Sequence, residues 1–396
     1  MSRPTFSFQW HILDDCDQRC KHCYIFSGNT DKPLARMDFS QMIAVLDNIA
    51  DFCATFGRDP YLYLTGGDPL LHPDFWALMD QLQARGIPFT IMGNPFHLDD
   101  QVCARLHRAG CLRYQLSIDG TRATHDWFRK PGSYDATMAA IPLLARHGIR
   151  SIIMTTISDA NAHELPQIID EVVAAKANVF AFSRYVPTAG ERMSGLAPQA
   201  YRAVLDSAYK KFKAYEDAGC ATYFNRKDHL WRLYEWEEGL WQIPDAADPH
   251  MIYDGCNCGS GHLTILPTGE VYACRRVAGS CVGNALTDRL AALWLGPMEE
   301  YRQVERFSKC SRCELLAWCR GCPAVARGAA GGFYEADPQC WHEVPGGQAA
   351  SEGVAQAERD GTQSTAGAPV IGAPACVAAV ARTAGATAPM REGALV

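Results

Sequence analysis

Between residue 6 and about residue 218 the chain alternates short apolar runs with longer segments of helical period, and this alternation restricts the fold more than any other feature. The runs Phe6–Leu13, Tyr61–Thr65, Pro88–Met92, Tyr114–Ile118, Ser151–Ile157 and Val179–Arg184 read as strands. Helices are expected at Ser40–Phe56, Pro73–Arg85, Asp99–Ala109, Tyr134–His147, His163–Ala174 and Ala197–Ala218. Strand and helix in strict succession imply a parallel sheet, since each return must cross over, and six right-handed units can curl into an open barrel. The expected class is therefore α/β, with a partial (β/α)6 barrel over residues 1–218. In such a fold chemistry gathers at the C-terminal ends of the strands. Three segments fall there and should converge: the loop of Cys16, Cys20 and Cys23, the segment Thr65-Gly66-Gly67-Asp68-Pro69, and Ser117-Ile118-Asp119-Gly120.

Residues 219–255 read as a helical bridge rich in aromatic residues (Trp231, Tyr234, Trp236, Trp241), with packing as the expected role and a substrate wall as the alternative. From Cys256 to His342 regular signals thin out, apart from a hairpin at Leu263–Ile265 and Val271–Ala273 around Pro267-Thr268-Gly269. A loop-rich stretch of this kind needs metal to hold it. Residues 343–396 are rich in Ala, Gly and Pro and hold no aromatic residue, so they are expected to be a disordered tail. That tail is read as inert, although its Cys376 could imitate or present a substrate cysteine.

The 396 residues carry a net charge of −7, with no basic stripe for phosphate backbones and no apolar run long enough to span a bilayer. No nucleic acid or membrane partner is expected. The N-terminus lacks the basic and apolar regions of a signal peptide, so a cytoplasmic protein is expected. A reducing compartment gives its seventeen cysteines no general role as disulfides. Twelve of them are grouped: Cys16, Cys20 and Cys23, then Cys256, Cys258, Cys274, Cys281, Cys310, Cys313, Cys319, Cys322 and Cys340. Grouping points to metal. The scattered ones, such as Cys53 on the stripe Met42, Val45, Leu46, Ile49, Phe52, read as small buried hydrophobes.

Cys16-Asp-Gln-Arg-Cys20-Lys-His-Cys23 places three thiolates in one tight loop. They can hold three irons of a [4Fe–4S] cluster and leave the fourth open to chelate a small molecule and pass it an electron. Zinc would need a fourth protein ligand and more often uses Cys-x2-Cys pairs. The Cys-x3-Cys-x2-Cys loop after the first strand resembles the signature of radical S-adenosylmethionine (SAM) enzymes, whose cluster cleaves SAM reductively to methionine and a 5′-deoxyadenosyl radical. Gly66-Gly67-Asp68-Pro69 is similar to that family's Gly-Gly-Glu-Pro segment, with Asp for Glu. The glycines are expected to let backbone groups approach the methionine amino group. By the same resemblance Ser117 and Arg129, twelve residues apart, would contact the SAM ribose and carboxylate. His22 would lie near the adenine, and Asp119 beside the cofactor.

Cys258-x10-Gly269-x4-Cys274, followed by Cys310-x2-Cys313-x5-Cys319-x2-Cys322 and Cys340, resembles the SPASM extension of these enzymes. The family normally has three residues between the last two paired cysteines, where this chain has two. The resemblance implies two auxiliary [4Fe–4S] clusters. One would use Cys258, Cys274 and Cys322 with Cys256 as fourth ligand, and the other Cys310, Cys313, Cys319 and Cys340. Cys281 could replace Cys256, or an iron could stay open.

SPASM-bearing members mostly modify peptides and proteins, so the resemblance implies an enzyme that oxidises a ribosomally made, Cys-containing peptide, with a thioether cross-link as the preferred product. Carbon–carbon linkage, epimerisation, or action on a small molecule or tetrapyrrole are the alternatives, and an iron–sulfur electron carrier is the non-enzymatic one. Arg275 stands where sulfatase-maturing members have an acidic base, and a guanidinium cannot serve as a base near neutral pH. No catalytic base is assigned. The implied partners are the precursor peptide and an electron donor such as flavodoxin or ferredoxin; because the first strand starts near Phe6 with no domain before it, the peptide is expected to be recognised by the barrel, the bridge or a separate leader-binding protein.

Overall fold

The computed structural model describes residues 3–26, 33–187, 195–248, 251–277 and 279–344, so the expected tail and Cys376 lie outside the described residues. Seven strands run parallel in chain order: β1 (Thr5–Leu13), β2 (Asp59–Gly66), β3 (Phe89–Met92), β4 (Cys111–Ser117), β5 (Arg150–Ile157), β6 (Val179–Arg184) and β7 (Tyr223–Asn225). Helices α1 (Phe39–Phe56), α2 (Phe75–Arg85), α3 (Asp100–Arg108), α4 (Arg122–Phe128), α5 (Ser133–Arg146), α6 (Leu165–Ala174) and α7 (Pro198–Asp217) connect them. A further helix, α8 (Leu230–Glu237), follows β7. The local causes are plain in α1. Asp38 and Gln41 form a reciprocal cap at its start, Gly57 ends it in the left-handed region, and Met42, Val45, Leu46, Ile49, Phe52 and Cys53 bury one face. Cys53 is a core residue, and burial pushes its thiol up to about 12.

The sheet does not stop at the barrel. β8 (His262–Ile265) pairs in parallel with β1, setting Ser7 opposite His262 and Trp10 opposite Ile265. β9 (Glu270–Tyr272) and β10 (Cys281–Asn284) then extend the sheet antiparallel, which gives the order β10-β9-β8-β1-β2-β3-β4-β5-β6-β7. The cysteine-rich segment also rests on α1. Helix α9 (Leu290–Leu295) lays Trp294 edge-on against Phe6 at 5.0 Å and Phe52 at 5.9 Å. Asn48 of α1 donates to the carbonyls of Ala285 and Asp288 and accepts from Leu290 N. One hydrophobic core therefore runs through both halves.

A buried ionic group joins the far side. Arg184, at the end of β6, donates from Nε to Asp228 at 2.9 Å and from Nη1 to Asp337 at 2.8 Å, with Gln339 Oε1 at 3.2 Å. Asp337 in turn accepts from Cys322 N at 2.8 Å. The aromatic bridge is packing: Trp231 and Tyr234 are buried, with Trp231 against Phe182 and Phe212. Among the described residues no helix is long and apolar enough to cross a membrane.

Candidate active site

The ends of β1 and β2 lie against each other closely enough to exclude side chains. Gly67 N donates to Leu13 O at 3.0 Å and Asp68 N to Asp15 O at 2.8 Å. A Cβ on Gly66, whose φ is +139°, would stand 2.1 Å from Leu13 O, and one on Gly67 would stand 1.9 Å from Asp15 O. The two glycines thus serve the packing of this turn onto the chain that enters the cysteine loop.

Within the loop, Cys16 Sγ accepts from Gln18 N at 3.4 Å and Asn94 Nδ2 at 3.3 Å, and Cys20 Sγ donates to Gln18 Oε1 at 3.4 Å. Arg129 Nη1 lies 3.8 Å from Cys20 Sγ, and Cys23 N closes a turn onto Cys20 O. Burial pushes the Cys16 thiol up and Cys20 to about 11. Such thiols keep their protons until a metal displaces them. Three thiols in one loop, with amide donors on Cys16 and a guanidinium beside Cys20, fit an iron–sulfur cluster.

Beside the loop stands Asp119, fully buried. Its Oδ2 accepts from Arg129 Nε at 2.6 Å and lies 3.4 Å from His22 Nε2; its Oδ1 accepts from Thr156 N at 2.9 Å. Burial alone would raise its carboxyl, but the Arg129 guanidinium beside it, helped by the Thr156 N–H, takes it down to about 2. His22 packs edge-on to Phe128 at 5.3 Å, and burial lowers it to about 4, so its ring is neutral. Arg129 is already held by Asp119 and directed at Cys20. Ser117 ends β4, half-buried, opposite Met154. Asp68 accepts from Leu70 N with Oδ1, while its buried Oδ2 has no hydrogen-bond partner; burial pushes this carboxyl up to about 6. Pro69 opens the following turn.

Two further thiol groups form in the C-terminal half. Cys258 N donates to Cys256 Sγ at 3.5 Å, the Cys258 thiol lies close enough to Cys256 and Cys274 to feel them, and His229, just before α8, likewise neighbours Cys256 and Cys322. Arg320 fixes Cys256 by donating to its carbonyl at 2.8 Å and to Asp254 O at 3.0 Å. Cys256 therefore stands with Cys258, Cys274 and Cys322, whereas Cys281 lies on β10 opposite Tyr272. His229 escaped the sequence reading because an isolated His gives no spacing signal. Cys310, Cys313, Cys319 and Cys340 line a single cavity with Lys309 and His342, and Lys309 Nζ donates to Cys340 Sγ at 3.4 Å. Each set offers the soft thiolate donors that iron–sulfur clusters require.

The loop and the first of these sets meet at Tyr24. It directly follows Cys23, and the guanidinium carbons of Arg275 and Arg276, which follow Cys274, lie 5.2 and 5.1 Å from its ring centre. Residues 10–172 match the radical SAM superfamily, and residues 256–323 match SPASM, an iron–sulfur cluster-binding domain. The protein is a radical SAM enzyme with a SPASM domain. It binds SAM and iron–sulfur clusters, so the electron-carrier reading is set aside. It is 27% identical over 341 residues to AdoMet-dependent heme synthase of Methanosarcina barkeri, covering 84% of this chain and 95% of that one. It is 24% identical over 346 residues to mycofactocin maturase MftC of Mycobacterium ulcerans, covering 84% and 86%. Its fold is similar to Streptococcus suis SuiB bound to the precursor peptide SuiA, with a TM-score of 0.67 at 17% identity over 86% of this chain and 76% of that one.

Proposed function

We propose that this enzyme matures a ribosomally made peptide, closing a thioether between a substrate cysteine and a carbon of another residue. The observation that carries the reading is the meeting of two thiol sites at Tyr24, which directly follows Cys23 and whose ring lies under the two arginines that follow Cys274. A substrate held there lies between a radical source and an electron sink. Cys16, Cys20 and Cys23 would hold the SAM cluster. Cys256, Cys258, Cys274 and Cys322 would hold one auxiliary cluster, and Cys310, Cys313, Cys319 and Cys340 the other. When bound, these groups supply the radical that removes a hydrogen atom from carbon, and they accept the electron released as sulfur bonds to that carbon and the thiol proton leaves.

The chain's own residues position and enclose. Asp119 fixes Arg129, which keeps a cation beside Cys20; His22, neutral and packed on Phe128, gives a flat wall; Asp68 offers a buried carboxylate oxygen for an ammonium. The similarity to mycofactocin maturase supports a peptide substrate. A second reading, a tetrapyrrole or other small molecule, is favoured by the similarity to heme synthase along almost the whole of that relative.

The test is anaerobic reconstitution followed by incubation with SAM, reductant and Cys-containing precursor candidates, read by mass spectrometry. A peptide lighter by two hydrogens, with 5′-deoxyadenosine released and both lost in Cys20→Ala, is the expected result. Turnover of a porphyrin with every peptide unchanged would replace the first reading by the second.

A further inference from the structure

The residues between the two thiol sites gather cations with no carboxylate paired to them among the described residues. Arg275 and Arg276 lie over the same Tyr24 ring, yet among the described residues no carboxylate pairs with either guanidinium and no acceptor takes their hydrogens. Arg275 Nε is buried with no hydrogen-bond partner. Lys227, just past β7 and exposed, adds a cation within the field of Arg276. His11, buried on β1, sits edge-on to Tyr24 at 6.4 Å, and its Nε2 also has no partner. Contact with one aromatic face offsets only part of the cost of holding two adjacent guanidinium groups, and a buried N–H without an acceptor adds to that cost. Two other arginines near buried positions do have carboxylates: Arg184 has two aspartates, and Arg129 has Asp119; buried Arg320 is bonded to backbone carbonyls instead.

We propose that Arg275 and Arg276, with Tyr24 as their platform and Lys227 adding charge, bind a carboxylate of the substrate and so hold it between the SAM-cluster loop and the Cys256–Cys274 set. A planar guanidinium fork suits a carboxylate, and two forks suit a substrate bearing more than one. This deepens the proposed function by assigning the substrate class, an acid. The carboxylate can be a Glu or Asp side chain of a peptide or a propionate of a small molecule, and it gives a role to the arginine that follows Cys274, which cannot act as a base.

The experiment measures binding to the reconstituted full-length protein in the presence of SAM, with two probe pairs. One pair is coproporphyrin III and its tetramethyl ester; the other is a synthetic Cys- and Glu-containing peptide and its amidated Gln counterpart. For at least one pair the acid should bind about tenfold or more tightly than its neutral form. That preference should vanish in Arg275→Gln/Arg276→Gln protein whose iron content and melting temperature match the wild type, while Arg275→Lys/Arg276→Lys should recover part of it. Preference for the peptide acid supports both the carboxylate site and the peptide reading. Preference for the porphyrin acid alone supports the site and removes the peptide reading. No acid preference in either pair, or a preference retained in the double Gln variant, overturns the proposal.

Discussion

At Gly67 a single methyl group would enter the space of a carbonyl oxygen, 1.9 Å from Asp15 O, and neither partner is a side chain able to turn away. Gly67→Ala is expected to cost about 3 kcal/mol by overpacking and to displace the cysteine loop, read as a lower melting temperature together with lost iron. Asp68 makes a pH-dependent prediction. Its carboxyl is raised to about 6 by burial, so it is protonated below that pH and ionised above it. With Asp68 proposed to hold the SAM ammonium in its ionised form, affinity for SAM should fall by up to about tenfold for each pH unit below about 6. Calorimetric titration of wild type and Asp68→Asn checks this: the variant should bind weakly at every pH, with no slope near 6. The types of residue at this site were legible in the sequence, because the cysteine spacing and the Gly-Gly-Asp-Pro segment are local. The pairing of Arg129 with Asp119 was not, since it depends on how α4 folds back, and neither residue advertises its partner.

Among the elements, β1 to β6 and their long helices follow from apolar periodicity, which is strong where strands are buried on both faces and helices bury one. The pieces without such a signal were missed. α4 is seven residues of mostly polar sequence. β10 is Cys281-Val-Gly-Asn, with a single aliphatic residue and a glycine at φ +153°. β8 was legible as half of a hairpin, but its parallel place beside β1 is a long-range pairing that no local pattern encodes. Arg184 shows how such elements are fastened. Arg184→Met would leave Asp228 and Asp337 buried without their cation, and a loss of about 3–5 kcal/mol is expected. Because Asp337 also holds Cys322 N, auxiliary iron should become easier to remove, measured as faster loss to a chelator.

For the molecule as a whole, the continuous core predicts that the barrel and the cysteine-rich half unfold together. Calorimetry of the loaded enzyme should give one transition, and Trp294→Ala should lower it by removing about 3–5 kcal/mol of packing shared by Phe6 and Phe52; two separated transitions would contradict a shared core. Iron analysis should find about twelve irons per chain, falling in Cys319→Ala while SAM cleavage by the first cluster persists. The pairing of β8 with β1 also bears on the order of synthesis. On the ribosome β1 is made well before the strand that covers its free side, His262–Ile265, which is translated some 250 residues later. Until then the nascent chain presents an uncovered strand of Phe6, Phe8 and Trp10, a surface that invites association with other unfinished chains. Stop codons or ribosome stalls before residue 262 should therefore yield aggregates rather than a working half-enzyme, and the burden of keeping the early product soluble falls on chaperones.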